Sequence, residues 1–373
     1  MTGTLDAAWL RAFRRRLPAW YARHARNLPW RKSGDPYRVW LSEIMLQQTQ
    51  VETVKPYFER FLAALPTLAA LAAADQQQVL RLWEGLGYYR RAQQLHKAAQ
   101  AVVARHGGQF PCDPETVQGV PGIGRYTAGA ILSIAFDQRL PILEANTLRL
   151  WSRLLAYPGD PASAAGQKLL WAAAERVLPR RGAGVFNQAL MDLGSTICRP
   201  REPRCDGCPV AVLCRAHALG RQAEIPRPKP KPPPEEVHEA AVLVRRRGRV
   251  LLIRWPAGRR WAGLWDFPRF PLHAAADAGL TADITSELME NVLRLCGVRI
   301  RPREHVRTLR HGVTRFRITL DCYAADYVAG PRQSSELTTM EWVRPDGLDR
   351  YPLSSSGRKL AQTAAGATRS GSP

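Results

Sequence analysis

Residues 117–136 read VQGVPGIGRYTAGAILSIAF, which places a helix on each side of the turn VPGIG. Gly122 and Gly124 permit a tight hairpin, because glycine reaches backbone angles that other residues avoid. The second helix then starts with its amide hydrogens pointing outward. Such a helix start is an anion site and can hold a phosphate without reading base sequence. The residue just after the hairpin is Tyr126. A phenol near neutral pH is a poor nucleophile but a good hydrogen-bond donor.

Fewer than a hundred residues downstream, Cys198, Cys205, Cys208 and Cys214 stand in the spacing C-x6-C-x2-C-x5-C. Four thiolates on one short loop after a helix can wrap a cubane iron–sulfur cluster, for which Cys ligation is the rule. A zinc ribbon is the alternative, but its ligands usually come as two C-x2-C pairs. Only one such pair is present. Seven cysteines with four of them crowded together do not form an evenly spaced disulfide framework, so the pattern points to a reducing compartment and a metal site.

The 373 residues carry a net charge of +22 and a pI near 10.5, which attracts polyanions, nucleic acid foremost. No apolar run approaches the length of a bilayer span, so an integral membrane protein is not expected. The arginine-rich start could be taken for a transit peptide, but Leu10, Phe13, Leu17, Trp20 and Tyr21 fall at helical spacing. That spacing predicts a first core helix with a basic outer face.

Residues 1–220 read as successive amphipathic helices, and a Pro- and Lys-rich connector follows over 221–237. From 238 to 361 the pattern becomes α+β. AAVLVRRRGRVLLIRW (240–255) is a hairpin signal around Gly248, RFRITLDCYAADYV (315–328) has strand character, and TADITSELMENVLRLCG (281–297) is one amphipathic helix. The tail 362–373, rich in Ala, Ser, Gly and Thr, is expected to be disordered. Near the amino terminus, LPWRKSGDPYRVWLSEIMLQQTQVETV (28–54) places Glu43 among Val39, Trp40, Ile44, Met45 and Leu46. A carboxyl so surrounded is desolvated, keeps its proton near neutrality and can act as a general acid.

That stretch, WEGLGYYRRAQQLHKAA (83–99), the hairpin, and the cysteines following FNQALMDLGSTIC (186–198) together resemble the endonuclease III and MutY superfamily of DNA glycosylases, most closely its adenine-removing branch. The resemblance implies a mainly α helix-hairpin-helix glycosylase domain with an iron–sulfur cluster loop, plus a C-terminal α+β Nudix-like domain. It further implies one structural 4Fe–4S cluster on Cys198, Cys205, Cys208 and Cys214, with Arg199, Arg201, Arg204 and Arg215 meeting the DNA backbone. The implied partner is double-stranded DNA with a mispaired adenine, bound by a cytoplasmic, nucleoid-associated monomer that flips the base.

By the same resemblance Glu43 protonates N7 of adenine and later activates water. Members that also cut the backbone carry a nucleophilic lysine where Tyr126 stands, so this chain is expected to use water and leave an abasic site. The family's Asp-Gly-Asn becomes Glu144, Ala145 and Asn146: Glu144 takes the cation-stabilising place, and Asn146 that of the residue which bonds the purine and orients the acid. Gln48 and Tyr88 are implied to enter the base stack, Arg31 and Gln188 to lie near the flipped adenine, and Leu86 near the opposite base. Gly122 and Gly124 take the phosphate. In the C-terminal half WAGLWDFPRF (261–270) resembles a Nudix segment, but Arg294 and Leu295 replace the glutamates that would bind magnesium, so nucleotide hydrolysis is not expected. The family's Phe-Ser-His loop facing 8-oxoguanine aligns with Val313, Thr314 and Arg315, where Thr314 keeps a hydroxyl. Two other readings stand beside this one: a pyrimidine glycosylase with lyase activity, and a non-catalytic mismatch-binding homologue.

Overall fold

The computed structural model describes residues 5–227, 232–273, 279–331 and 339–369. The chain divides into two compact units, Met1–Ala74 with Gln94–Pro230, and Asp75–Gln93 with Lys231–Pro373. A purely sequential division at residue 220 misses the excursion of Asp75–Gln93 into the second unit.

The helices in chain order are α1 (Ala7–His24), α2 (Pro36–Leu46), α3 (Val51–Ala64), α4 (Leu68–Ala73), α5 (Gln76–Trp83), α6 (Arg90–His106), α7 (Pro114–Gln118), α8 (Arg125–Phe136), α9 (Ala145–Leu154), α10 (Ala164–Val177), α11 (Ala183–Asp192) and α12 (Arg215–Ala218). Their starts are written in the sequence. Asp6, Asp35, Asp113 and Ser163 each cap a helix by accepting a backbone amide, and proline follows Asp35 and Asp113 at the first helical position. In the first unit the expected residues of α1 do turn inward: Phe13 and Leu17 are fully buried, and Phe13 packs on Trp9, Trp151 and Phe186. This core joins α1, α9, α10 and α11 and extends to Cys198 and Val210 of the cysteine segment. Truncating an aromatic of this size to alanine costs about 3–5 kcal/mol.

The second unit also holds α13 (Ala282–Cys296), α14 (Ser355–Arg369) and a mixed sheet of β1 (Glu235–Arg246), β2 (Arg249–Arg254), β3 (Trp265–Asp266), β4 (Arg269–Pro271), β5 (Arg299–Val313), β6 (Phe316–Ala329) and β7 (Thr339–Val343). The order is β3-β2-β1-β6-β5, with β4 on β1 and β7 on β2; β1 and β6 run parallel. Ala240, Val242 and Val244 of β1 pack in one core with Ile284, Leu288 and Val292 of α13, whereas Ala241 and Leu243 pack in the other with Leu360 and Ala361 of α14. Burial on both faces explains why β1 reads as an unbroken apolar run. The β1–β2 hairpin closes through Arg247 and Gly248, both with positive φ, as its turn signal predicts.

Two boundaries differ from the sequence reading. The strand β1 begins at Glu235, inside the expected connector, because Glu235 and Glu236 pair in register with Phe316 and Arg317. Residues 228–231 of the connector lie outside the described residues. The expected tail is helical to Arg369, since Ala-rich sequence has high helix propensity and Leu360, Ala361 and Ala364 bury against the sheet. Residues 370–373 lie outside the described residues. No helix among the described residues is long and apolar enough to cross a membrane.

Candidate active site

In the first unit, Glu43, Tyr126, Glu144, Asn146, Arg31, Gln48 and Gln188 line one cavity of about 410 Å³. Seven residues predicted separately along the sequence are therefore brought together by α2, α8, α9, α11 and the turns between them.

Glu43 is presented by α2, whose Val39, Trp40, Ile44 and Met45 are all buried. Burial pushes its carboxyl up to about 7, against the lowering effect of a hydrogen bond from Tyr126 and aided by the negative charge of Glu144. The Tyr126 hydroxyl donates to Glu43 Oε2 at 2.5 Å. Burial, and then the charges of Glu43 and Glu144, hold the phenol well above its usual range, so it stays a donor. Tyr126 lies at the second position of α8. Its hairpin turns through Gly122 at φ 80°, and Gly124 starts the helix with no side-chain cap, leaving the first amides available.

Glu144 caps α9. Its Oε2 accepts the Asn146 backbone N–H at 2.7 Å and the Asn146 Nδ2 at 3.1 Å, while its Oε1 accepts the Thr147 amide at 2.9 Å. The Glu144 amide in turn donates to Thr147 Oγ1 at 2.8 Å, closing a capping box. Three donors therefore fix the longer carboxylate. Asn146 commits its amide to neighbours, Nδ2 to Glu144 and Oδ1 to Arg149 Nη2 at 2.9 Å. Arg149 continues to the carbonyls of Gly194 at 2.7 Å and Cys198 at 2.8 Å. One N–H and one lone pair of the Asn146 amide are not used by its two bonds, and Asn146 lines the cavity.

Arg31 forks onto Asp192, with Nη1 to Oδ2 at 2.8 Å and Nη2 to Oδ1 at 2.9 Å, and Arg26 Nε adds a bond of 2.7 Å. Burial works against the Asp192 charge, but the hydrogen bond and charge of Arg31 and the charge of Arg26 outweigh it and hold the carboxyl below its ordinary range. Gln188 Oε1 accepts from Tyr21 Oη at 3.3 Å, and Gln48 is exposed at the cavity with φ 58°. Asp192, Arg26 and Arg149 were missed in the sequence. The usable signal for Asp192 is that it alone is charged between residues 182 and 198, at a helix end followed by a π turn over Leu193–Ile197.

Cys198, Cys205, Cys208 and Cys214 line one small cavity of about 20 Å³ with Leu150, Leu154 and Arg153. Among the described residues no group of three His, Cys, Asp or Glu is drawn together at metal-holding separations. Burial pushes the Cys208 thiol up to about 12 and raises Cys205 and Cys214 as well. Thiolates there need neighbouring positive charge, and the buried Arg153 provides one: its Nη1 lies 3.3 Å from Cys198 Sγ and 2.7 Å from the Arg199 carbonyl.

The remaining predicted residues lie in the second unit. Leu86 is buried, whereas Tyr88 is 46% exposed and has a positive φ. Thr314 is exposed at the two-residue turn between β5 and β6, where Val313 pairs with Phe316. Arg294 and Leu295 sit on α13, and Arg294 donates to Asn291 Oδ1 at 2.5 Å.

Residues 41–176 match the HhH-GPD superfamily of base excision DNA repair proteins, and residues 240–363 match the NUDIX domain. The first unit is thus a helix-hairpin-helix base excision repair fold and the second carries a Nudix domain. A solved thermostable thymine-DNA glycosylase is 27% identical, with a TM-score of 0.53, and covers 57% of this chain and 100% of its own. The adenine DNA glycosylase of Rattus norvegicus is 34% identical over 95% of this chain and 78% of its own length. That of Buchnera aphidicola subsp. Schizaphis graminum is 36% identical over 67% of this chain and 73% of its own. The chain belongs to the adenine DNA glycosylase family.

Proposed function

We propose that the protein is a monofunctional DNA glycosylase that removes adenine mispaired with 8-oxoguanine or guanine, acting as a monomer on duplex DNA in the cytoplasmic nucleoid. The observation that carries this reading is the pairing of Glu43 with Tyr126: a carboxyl titrating at about 7, held by a phenol in a cavity it shares with Glu144. A half-protonated acid near neutrality can protonate N7 of a flipped adenine and so turn a poor leaving group into a neutral purine. As the bond to the sugar breaks, positive charge develops there, and the fixed, half-buried Glu144 carboxylate opposes it. The ionised Glu43 then takes a proton from the attacking water. Tyr126 has no amine with which to form a Schiff base, so the strand is left uncut at an abasic site.

Cys198, Cys205, Cys208 and Cys214 would hold one 4Fe–4S cluster, with Arg153 beside it. When bound, the cluster would tie together the 198–214 loop and its arginines. Single-turnover cleavage of a duplex with adenine opposite 8-oxoguanine tests the reading. Glu43→Gln is expected to bind that duplex yet release adenine slower by at least about a hundredfold, and a variant within threefold of the natural protein would remove Glu43 from the acid role.

A further inference from the structure

Within the second unit, residues 75–93 are fastened to the end of the chain by bonds centred on Glu84. This carboxylate follows α5, and its side chain is 8% exposed. Oε1 receives Arg358 Nε at 2.7 Å, and Oε2 receives Arg358 Nη2 at 3.0 Å and the Leu353 amide at 3.2 Å. Arg358 also donates to the carbonyls of Leu348 at 2.8 Å and Tyr351 at 2.7 Å. Tyr89 Oη accepts the Gly85 amide at 3.2 Å and donates to the Leu353 carbonyl at 3.4 Å. Gln77 and Gln93 add bonds to Gly263, Trp265 and Ala262.

What this framework encloses is the turn Gly85–Tyr88. Gly85, Gly87 and Tyr88 have φ of 99°, 72° and 48°. For a tyrosine that angle is strained and persists only where the surroundings enforce it. Arg91 lies 5.4 Å from the rings of both Trp83 and Tyr88, and Trp83 Nε1 donates to the Gly87 carbonyl at 3.1 Å. Two anchors therefore set the turn: Arg91 from α6, and Glu84 with its partners from the chain's end.

We propose that Glu84 and Arg358 are positioning residues for Tyr88: the ion pair at the start of α14 holds the Gly85–Tyr88 turn in the shape that lets Tyr88 enter the base stack. This rests on the base-flipping reading above. A bidentate arginine suits the task, because its planar fork fixes direction as well as distance. Glu84→Gln removes the charge that faces Arg358, and Arg358→Ala leaves Glu84 only the more exposed Arg81, 3.3 Å away, so in either variant the fork that fixes the turn is lost and the turn relaxes. Neither residue lines the cavity around Glu43. Extrusion of adenine, and not its protonation, should then suffer.

The test uses the full chain. The natural protein must first release adenine from a duplex carrying it opposite 8-oxoguanine; no release would overturn the glycosylase reading, and the positioning role with it. Given release, a failure of the variants below overturns the positioning role alone. Glu84→Gln and Arg358→Ala are compared with the natural protein on a duplex with 2-aminopurine in the adenine's place, whose fluorescence rises on extrusion. Both should lose about tenfold in extrusion and in single-turnover release, with the pH profile unmoved and partial recovery in Arg358→Lys. With adenine opposite an abasic site, where less unstacking is needed, the loss should shrink to about threefold or less. Extrusion equal to that of the natural protein, or an equal loss on both duplexes, would overturn the proposal. Should Arg358→Ala fail to fold, as circular dichroism would reveal, the near-isosteric Glu84→Gln carries the measurement.

Discussion

The cavity around Glu43 in the first unit and the hairpin tip around Thr314 in the second differ in almost every physical respect. Glu43 is buried, its carboxyl accepts a hydrogen bond from a phenol, and its neighbours Glu144 and Arg31 are themselves fixed by amides and by Asp192. Thr314 is exposed at a turn of two residues, its hydroxyl donating to the carbonyl of Val313, and the adjacent Arg315 makes an exposed ion pair with Glu235 at 3.4 Å. Chemistry that moves a proton and stabilises a cation depends on a fixed, water-poor setting. Recognition by an exposed tip depends on a few side chains and tolerates their replacement. Changes in the cavity should therefore alter rate by orders of magnitude, and changes at the tip should alter preference by much less.

Glu144 offers the strongest way to break that contrast. Glu144→Gln keeps the shape of the cap but removes the negative charge, and single-turnover release should fall by about a hundredfold. Glu144→Asp keeps the charge but withdraws it by one methylene from the amides of Asn146 and Thr147, so a loss of about tenfold is expected. Equal rates for the natural protein and both variants would show that this carboxylate does not oppose the sugar cation.

The burial of Glu43 should also be visible without DNA. Its carboxyl is raised from an ordinary 4.5 to about 7 in the folded chain. The proton it binds on folding therefore stabilises the protein most below pH 4.5, and that contribution is lost as pH rises through about 7. Glu43→Gln carries no such charge, so at pH 8 it should melt about 4 °C higher than the natural protein, and at pH 5 that gain should shrink markedly. Adenine release by the natural protein should decline above pH 7 as the acid ionises. A gain in melting temperature that is the same at both pH values would mean that Glu43 is not held protonated by its surroundings.

How much of this was legible in the sequence follows the same division. Glu43, Tyr126 and the cysteines stood out because each is chemically odd in its place: a carboxyl among apolar residues, a phenol after a hairpin, four thiols on one loop. Oddities of this kind are legible within a short window. Asp192, Arg26 and Arg149 were not, since their roles arise from long-range pairs, such as Arg31 with Asp192, that no short window contains. Nor was the placing of Asp75–Gln93 with the C-terminal half, because it depends on Glu84 meeting Arg358 far along the chain. The supposed tail was misread because small residues suit both a flexible end and a helix packed on a sheet, and only the buried partners decide between them.

The smallest expected effect belongs to the hairpin tip. Val313, Thr314 and Arg315 occupy a turn whose ends are fixed by the pairing of Val313 with Phe316, so the turn itself should survive replacement of its side chains. Thr314 presents one hydroxyl, whereas an aromatic at 313 would add a flat apolar surface to fill space beside a distorted base pair. The triple variant Val313→Phe, Thr314→Ser, Arg315→His should therefore sharpen the preference for adenine opposite 8-oxoguanine over adenine opposite guanine by about tenfold, the worth of one good contact to a base. The maximal release rate on the better duplex should change by less than about threefold, because none of the three residues lines the cavity around Glu43. Losing the Arg315–Glu235 pair should cost little stability, since both groups are exposed and such pairs contribute at most about 1 kcal/mol. Unchanged discrimination would separate the tip from opposite-base choice, and a fall in maximal rate as large as that of Glu144→Gln would erase the contrast between the two regions.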